Sequence, residues 1–161
     1  VRTQANPLFD AYINETRGSL GMTVVRDHEA APRTPRSLRE GRAVAFVSDQ
    51  GVMGLASTFV SFFGRPAKTP RGAAVFAMKY DTPTLFVTAL RQPSGRYRVS
   101  VERVPIIRTG DRDADIDAIV ANYTAILERW VRSAPDQYFW HHRRWRRQPE
   151  GAPPELRDPS L

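Results

Sequence analysis

An α/β fold, with a mixed β-sheet flanked by helices and incomplete at its N-terminus, is what this sequence predicts, and three stretches carry the expectation. The first is "DADIDAIVANYTAILERWVRSAP", residues 113–135, where Ile116, Ile119, Val120, Tyr123, Ile126, Leu127, Trp130 and Val131 recur at helical spacing. Acidic residues open this stretch and arginines close it, as the helix dipole prefers. The second is "AVAFVS", residues 43–48, an apolar run of buried-strand length. The third spans residues 82–105, two strand-like runs on either side of "PSG". In its second run Tyr97, Val99, Val101 and Arg103 alternate with Arg98, Ser100 and Glu102, which predicts a hairpin at an antiparallel end of the sheet.

The remaining elements follow in order. Asn6-Pro7 reads as an N-cap with proline at the first helical position, and Leu8, Phe9, Tyr12, Ile13 and Leu20 mark an apolar face up to Gly21. A short strand is expected over 22–25, and Thr34-Pro35 should cap a brief helix ending at Gly41. After the apolar run comes "DQGVMG", a polar loop containing glycines, then "TFVSFFG", 58–64, a second apolar segment. In "KTPRGAAVFAMKYD" a helix should restart with Thr69 as cap and Pro70 at its first position. Residues 149–161 are proline-rich and read as a loose tail. The chain opens on Val1 and reaches a helix start by Asn6, so a leading segment is expected to be missing.

Composition narrows the functions. Of 161 residues, 24 are basic and 17 acidic, for a formal charge of +7, and 22 of the basic residues are arginine. The planar guanidinium fork favours carboxylate or phosphate partners, although a genome rich in arginine codons would give the same excess. With no cysteine, disulfides, thiolate catalysis and cysteine metal sites are excluded. No apolar stretch reaches the roughly 18 residues of a membrane span.

Local motifs do not by themselves make an enzyme. His28 sits in a polar turn and reads as a surface residue; His141 and His142 are adjacent and on a helix would diverge by about 100 degrees, so no metal site is expected. Neither a Ser-His-Asp order, a P-loop nor a G-x-G-x-x-G is present, and no cofactor is implied. Asp49-Gln50, leaving the end of the 43–48 run, stands where ligands bind in open α/β sheets, or else caps a turn. Thr69 with Gly72 opens a helix that could face an anion, or is a plain N-cap. "DQYFWHHRRWRRQPEG", 136–151, interleaves rings and arginines in a way that suits nucleic acid, an anionic membrane surface or an acidic protein equally.

Five of these stretches occur together, in order and at similar spacing, in a known family. "RTQANPLFD", "FVSDQ", "TFVSFFGRPAKTPRGAA", "TLFVTALR" and "PDQYFWHHRRW" make the chain resemble the bacterial lipid A biosynthesis acyltransferases, the lauroyl and myristoyl transferases of the lysophospholipid acyltransferase superfamily. The resemblance covers residues 1–151. It implies a membrane-associated enzyme, at the cytoplasmic face of the bacterial inner membrane, that moves a fatty acyl chain from acyl carrier protein or another acyl thioester to a hydroxyl of a glycolipid. Residues 1–148 would be the C-terminal part of one acyltransferase domain, followed by the 149–161 tail. A family histidine with Asp or Glu five positions later acts as general base; here Arg33, Arg146 and Arg147 stand at that spacing from the three histidines. No catalytic residue is therefore expected within the chain, the pair should lie upstream of Val1 with a membrane-binding segment, and the piece should be inactive alone.

The resemblance further implies substrate-binding roles for Arg2, Asn6, Asp49, Gln50, Phe62, Phe63 and Thr69. Arg2 would bind an anionic group and pair with Asp49; Asp49 and Gln50 would line the acceptor side, with Gly51 where many members carry an acid. Phe62 and Phe63 would border the acyl channel, or simply belong to the core. Trp140, Arg143, Arg144 and Trp145 would contact anionic lipid. The rival classes are a basic nucleic-acid-binding domain and a noncatalytic relative of the enzymes; no recognised nucleic-acid fold surrounds the arginines, so nucleic acid is not expected as a partner.

Overall fold

The computed structural model describes residues 1, 3–51 and 54–156. The chain forms two compact units, Val1–Ala45 and Phe46–Leu161.

In the first unit, α1 (Pro7–Ser19) starts as its sequence dictates: the Asn6 side chain accepts from the Leu8 and Phe9 amides at 3.0 and 3.2 Å, with Pro7 in the first turn. Its expected apolar face is not covered, for Leu8, Phe9, Tyr12 and Leu20 are all exposed. What anchors the helix is a charged fork. Arg26 Nη1 and Nη2 donate to the two carboxylate oxygens of Asp10 at 3.0 and 2.6 Å, holding the Asp10 pKa down to about 2. The second helix, α2 (Ala30–Arg39), begins a turn before Thr34, so Pro35 lies inside it rather than at its start. Proline costs the helix one backbone donor there, while Pro32 sits in the first turn, where none is needed. Residues 22–25 and 43–48 run without strand pairing, contrary to the expected strands.

The second unit opens with β1 (Ser57–Phe62) and β2 (Arg65–Pro70), antiparallel from Ser57↔Pro70 to Phe62↔Arg65. A two-residue turn joins them, with φ of 53° at Phe63 and 73° at Gly64. Two positive φ values define the turn that matches strand twist, but Phe is a costly residue for the first of them. Glu128 secures it by accepting from the Phe63 amide at 2.6 Å. Helix α3 (Gly72–Tyr80) starts two residues later than expected, because Thr69 and Pro70 finish the β2 ladder instead of capping a helix.

Strands β3 (Leu85–Arg91) and β4 (Tyr97–Arg103) form the hairpin around 93–95, in register Leu85↔Arg103 to Arg91↔Tyr97. The α/β character is as expected. Among the described residues, however, the strands make two separate two-stranded antiparallel sheets, since the 43–48 run supplies no ladder to join them. Five large apolar residues of β3 and β4, Leu85, Val87, Tyr97, Val99 and Val101, face outward and are exposed, while Phe86 and Leu90 lie on the half-buried side. The inward face is of mixed character: Phe86 packs on the main core, and Glu102 accepts from the Trp130 indole and from Arg129 of the long helix that follows.

Helix α4 (Arg112–Ser133) is the backbone of this unit. Asp111 caps it, accepting from the Asp113 and Ala114 amides at 3.1 Å each. Its buried stripe, Ile116, Ile119, Val120, Tyr123 and Ile126, packs with Val60, Ala74 and Val104 into the main core. A smaller core of Phe62, Ala67 and Val131 gathers Phe63, Leu127, Tyr138 and Trp145 around it.

Asp115, only 3% exposed, steadies the entry to α4 by accepting from the Thr109 amide and hydroxyl, which lowers its pKa from 3.8. A lowered folded pKa means stability that is present above the unfolded value and lost as pH falls through the folded one. Asp115→Asn should therefore lower the melting temperature at neutral pH, and the gap from the parent should close below about pH 4. A gap that stays constant from pH 7 to pH 3 in thermal melts would show that the charge has no part in it.

Candidate functional site

The loop 48–51 carries Asp49 and Gln50, and it is held by the aromatic and arginine-rich segment 138–148. The Tyr138 hydroxyl donates to the Asp49 carbonyl at 3.1 Å. Two residues on, the Gly51 amide donates to His142 Nε2, also at 3.1 Å. Beneath both lies Arg144, 3% exposed, which donates to the Lys68 carbonyl and the Thr69 hydroxyl oxygen at 2.6 Å each. Its guanidinium also stands 5.6 Å from the centre of the Phe62 ring.

Each end of this strap has a reason to stay. Trp145 stacks on Phe62 at 5.7 Å and 27°, and its indole donates to the Phe62 carbonyl at 3.1 Å. Gln148 donates to the Pro66 carbonyl at 3.0 Å. At the other end, Gln137 imitates a strand partner for Arg91: its amide oxygen accepts from the Arg91 N–H at 2.8 Å and its amide nitrogen donates to the Arg91 carbonyl at 3.0 Å. Tyr123 reaches from α4 to the Pro70 carbonyl at 2.6 Å, joining the end of β2 to the core.

Electrostatics follow burial. Desolvation lowers the Arg144 pKa from its ordinary value, while Tyr138 and Asp49 oppose the shift. Tyr138 and Tyr123 are both pushed up by burial, with Arg144 pulling each back. His142 is lowered from 6.5, first by burial and then by Arg144, with Asp49 opposing. Asp49 itself keeps one carboxylate oxygen, Oδ1, buried and without a hydrogen bond. Its electrostatic partner within this unit is Arg144.

The residues singled out from the sequence are placed as follows. Asp49 and half-buried Gln50 lie on the clamped loop, and Thr69 touches the same arginine that faces Asp49. Phe62 is fully buried in the smaller core; Phe63 stands on the hairpin turn with Arg132 over its ring at 4.5 Å. Asn6 lies in the first unit, where it caps α1. Arg2, and with it the expected pair to Asp49, lies outside the described residues. Trp140 is 46% exposed and Arg143 is exposed, but Arg144 is buried and Trp145 half-buried, because both spend their polar atoms on β1 and β2. The sequence reading missed the roles of Tyr138 and His142. The signal was there in the fixed spacing of polar rings around Arg144, yet spacing alone does not say that a ring nitrogen accepts from a loop amide.

Among the described residues no group of side chains could hold a metal ion, and no helix is long and apolar enough to cross a membrane. The chain is 28% identical over 154 residues to the lipid A biosynthesis lauroyltransferase of Escherichia coli (strain K12), a match that takes in 94% of this chain and 49% of that protein. With the lipid A biosynthesis palmitoleoyltransferase of the same organism it shares 31% identity over 117 residues, 71% of this chain and 37% of the relative. The lipid A biosynthesis acyltransferase of Shigella flexneri matches to the same extent. The chain thus spans about half the length of these relatives, or less. A model of the bacterial lipid A biosynthesis acyltransferases matches residues 1–147, which takes in both the Asp49 loop and the segment that clamps it, and the chain belongs to that family.

Proposed function

We propose that this chain forms the acceptor side of an enzyme that moves a fatty acyl chain from acyl carrier protein, or another acyl thioester, to a hydroxyl of a glycolipid such as a lipid A precursor. The supporting observation is the convergence of two family motifs on one loop: Tyr138 and His142 fix the backbone at Asp49 and Gly51, and Arg144 balances the carboxylate. A preorganised carboxylate and amide at a loop held this way can orient an acceptor without rearranging during the reaction. The chemistry is a displacement at a thioester carbonyl: a base takes the hydroxyl proton, the oxygen attacks, and the thiolate leaves with a proton. That base is proposed to come from outside these residues, so the piece by itself transfers nothing. Exposed Phe139, Trp140 and Arg143 give a peripheral contact with anionic lipid, rings at the headgroup boundary and charge toward phosphate. The inner membrane's cytoplasmic face is where both donor and acceptor would meet such an enzyme.

The full-length enzyme, given acyl carrier protein thioester and a lipid A precursor, should form acylated product. Asp49→Asn keeps the size and removes the charge that faces Arg144; turnover should drop at least about tenfold, a barrier change of about 1.4 kcal/mol, with the yield of folded protein unchanged. Absence of transfer by folded parent enzyme over several thioester chain lengths would sink the reading, and parent-level turnover in Asp49→Asn would reduce Asp49 to a turn residue.

A further inference from the structure

The 3.1 Å bond from the Gly51 amide to His142 Nε2 carries a chemical requirement. Nε2 must present a lone pair, so the imidazole is neutral with its proton on Nδ1. The loop packs closely at this point. A Cβ on residue 51 would sit 3.1 Å from the Lys68 carbonyl oxygen and 3.7 Å from Arg144 Nη1, so the loop backbone lies directly on β2 with no side chain between. The charged and titratable groups acting around the ring are Asp49 on the facing loop and Arg144 on its own segment. Tyr138, also on that segment, binds the loop backbone at Asp49, and β2 contributes the Lys68 carbonyl.

We propose that His142 is a positioning residue of the acceptor site, whose neutral Nε2 fixes the Asp49–Gly51 loop through the Gly51 amide. The inference rests on the acyl-transfer reading for its consequence, and on the contact itself for its geometry. Tyr138 and His142 grip the loop backbone at Asp49 and at Gly51, so two hydrogen bonds from one strap hold the backbone that carries the Asp49 carboxylate. Protonating His142 turns an acceptor into a donor that points at another donor, and the Gly51 end lets go. The lowered His142 pKa, caused first by burial, favours the neutral ring that the contact needs, and the grip fails as pH falls through that lowered value.

The test uses the full-length enzyme. His142→Gln puts an amide oxygen near the place of Nε2 and should keep kcat/KM within about threefold of the parent, whereas His142→Ala should lose about tenfold, chiefly in kcat. In parallel, the Gly51 amide resonance should titrate with a midpoint below 6.5 in the parent and cease to do so in His142→Gln. Parent-level turnover in folded His142→Ala overturns the proposal, as does a Gly51 amide that ignores pH in the parent. If His142→Ala does not fold, the Gly51 titration in parent and His142→Gln decides. A folded parent that transfers no acyl chain overturns the functional reading instead, and the same titration still decides the contact.

Discussion

Arg144→Ala should destabilise the full-length enzyme by about 3–5 kcal/mol, the usual cost of removing one member from a buried charged group. Three things are lost at once. The Lys68 carbonyl and Thr69 hydroxyl lose their donor, the Asp49 carboxylate loses its counter-charge, and the Phe62 ring loses the cation over its face. Arg144 is 3% exposed, so the groups it serves are buried and bear a desolvation cost once it is removed. Arg144→Lys should recover little of the loss, since one ammonium cannot reproduce a planar fork that reaches a carbonyl and a hydroxyl simultaneously. Urea denaturation reads both variants. Midpoints equal to the parent's would mean that the strap is held by its rings alone.

Phe62→Ala should cost a similar amount, about 3–5 kcal/mol, by opening a cavity. The side chain is fully buried, and its ring meets Phe63 at 4.8 Å, Trp145 at 5.7 Å and Tyr138 at 5.8 Å. Those three rings come from the hairpin turn and from the strap, so the cavity would loosen the strap where it begins and where it returns. Phe62→Leu, which refills much of the space, should cost clearly less. If urea midpoints of the two variants coincide, the contribution comes from something other than packing volume.

Much of the second unit was legible because its signals agree with one another. Eight apolar residues at helical spacing, an acidic start and arginines near the end left α4 no competing structure, and the "PSG" turn between alternating runs gave β3 and β4 directly. Asn6-Pro7 was equally plain at α1. Thr69-Pro70 misled, because cap and strand end use the same residues; the ladder from Ser57 to Phe62 decides between them, and it is a pairing across a turn that no local window contains. The 43–48 run misled for a related reason: apolar composition permits a strand, but a strand needs a partner. At the candidate site, Asp49 and Gln50 stood out by position, whereas the neighbour of Asp49 did not. Arg144 lies 95 residues further along the chain, inside a motif that looked like surface charge, and only packing shows that the chain turns this one arginine inward. Arg143, one position earlier, remains exposed.

The outward face of the β3–β4 hairpin bears on how this protein can be handled. Five large apolar side chains, Leu85, Val87, Tyr97, Val99 and Val101, are exposed on one face of this sheet, and among the described residues each of its two strands also has one edge without a ladder partner. Such a surface is a template on which further copies can accrete, edge to edge or face to face, at the concentrations used for purification. Arg91 and Arg103 border it and act as its only charged fence on those two strands' outward side. Lysines at Val87 and Val99, which lie on different rungs of the ladder, would extend that fence across the middle of the sheet without touching the core.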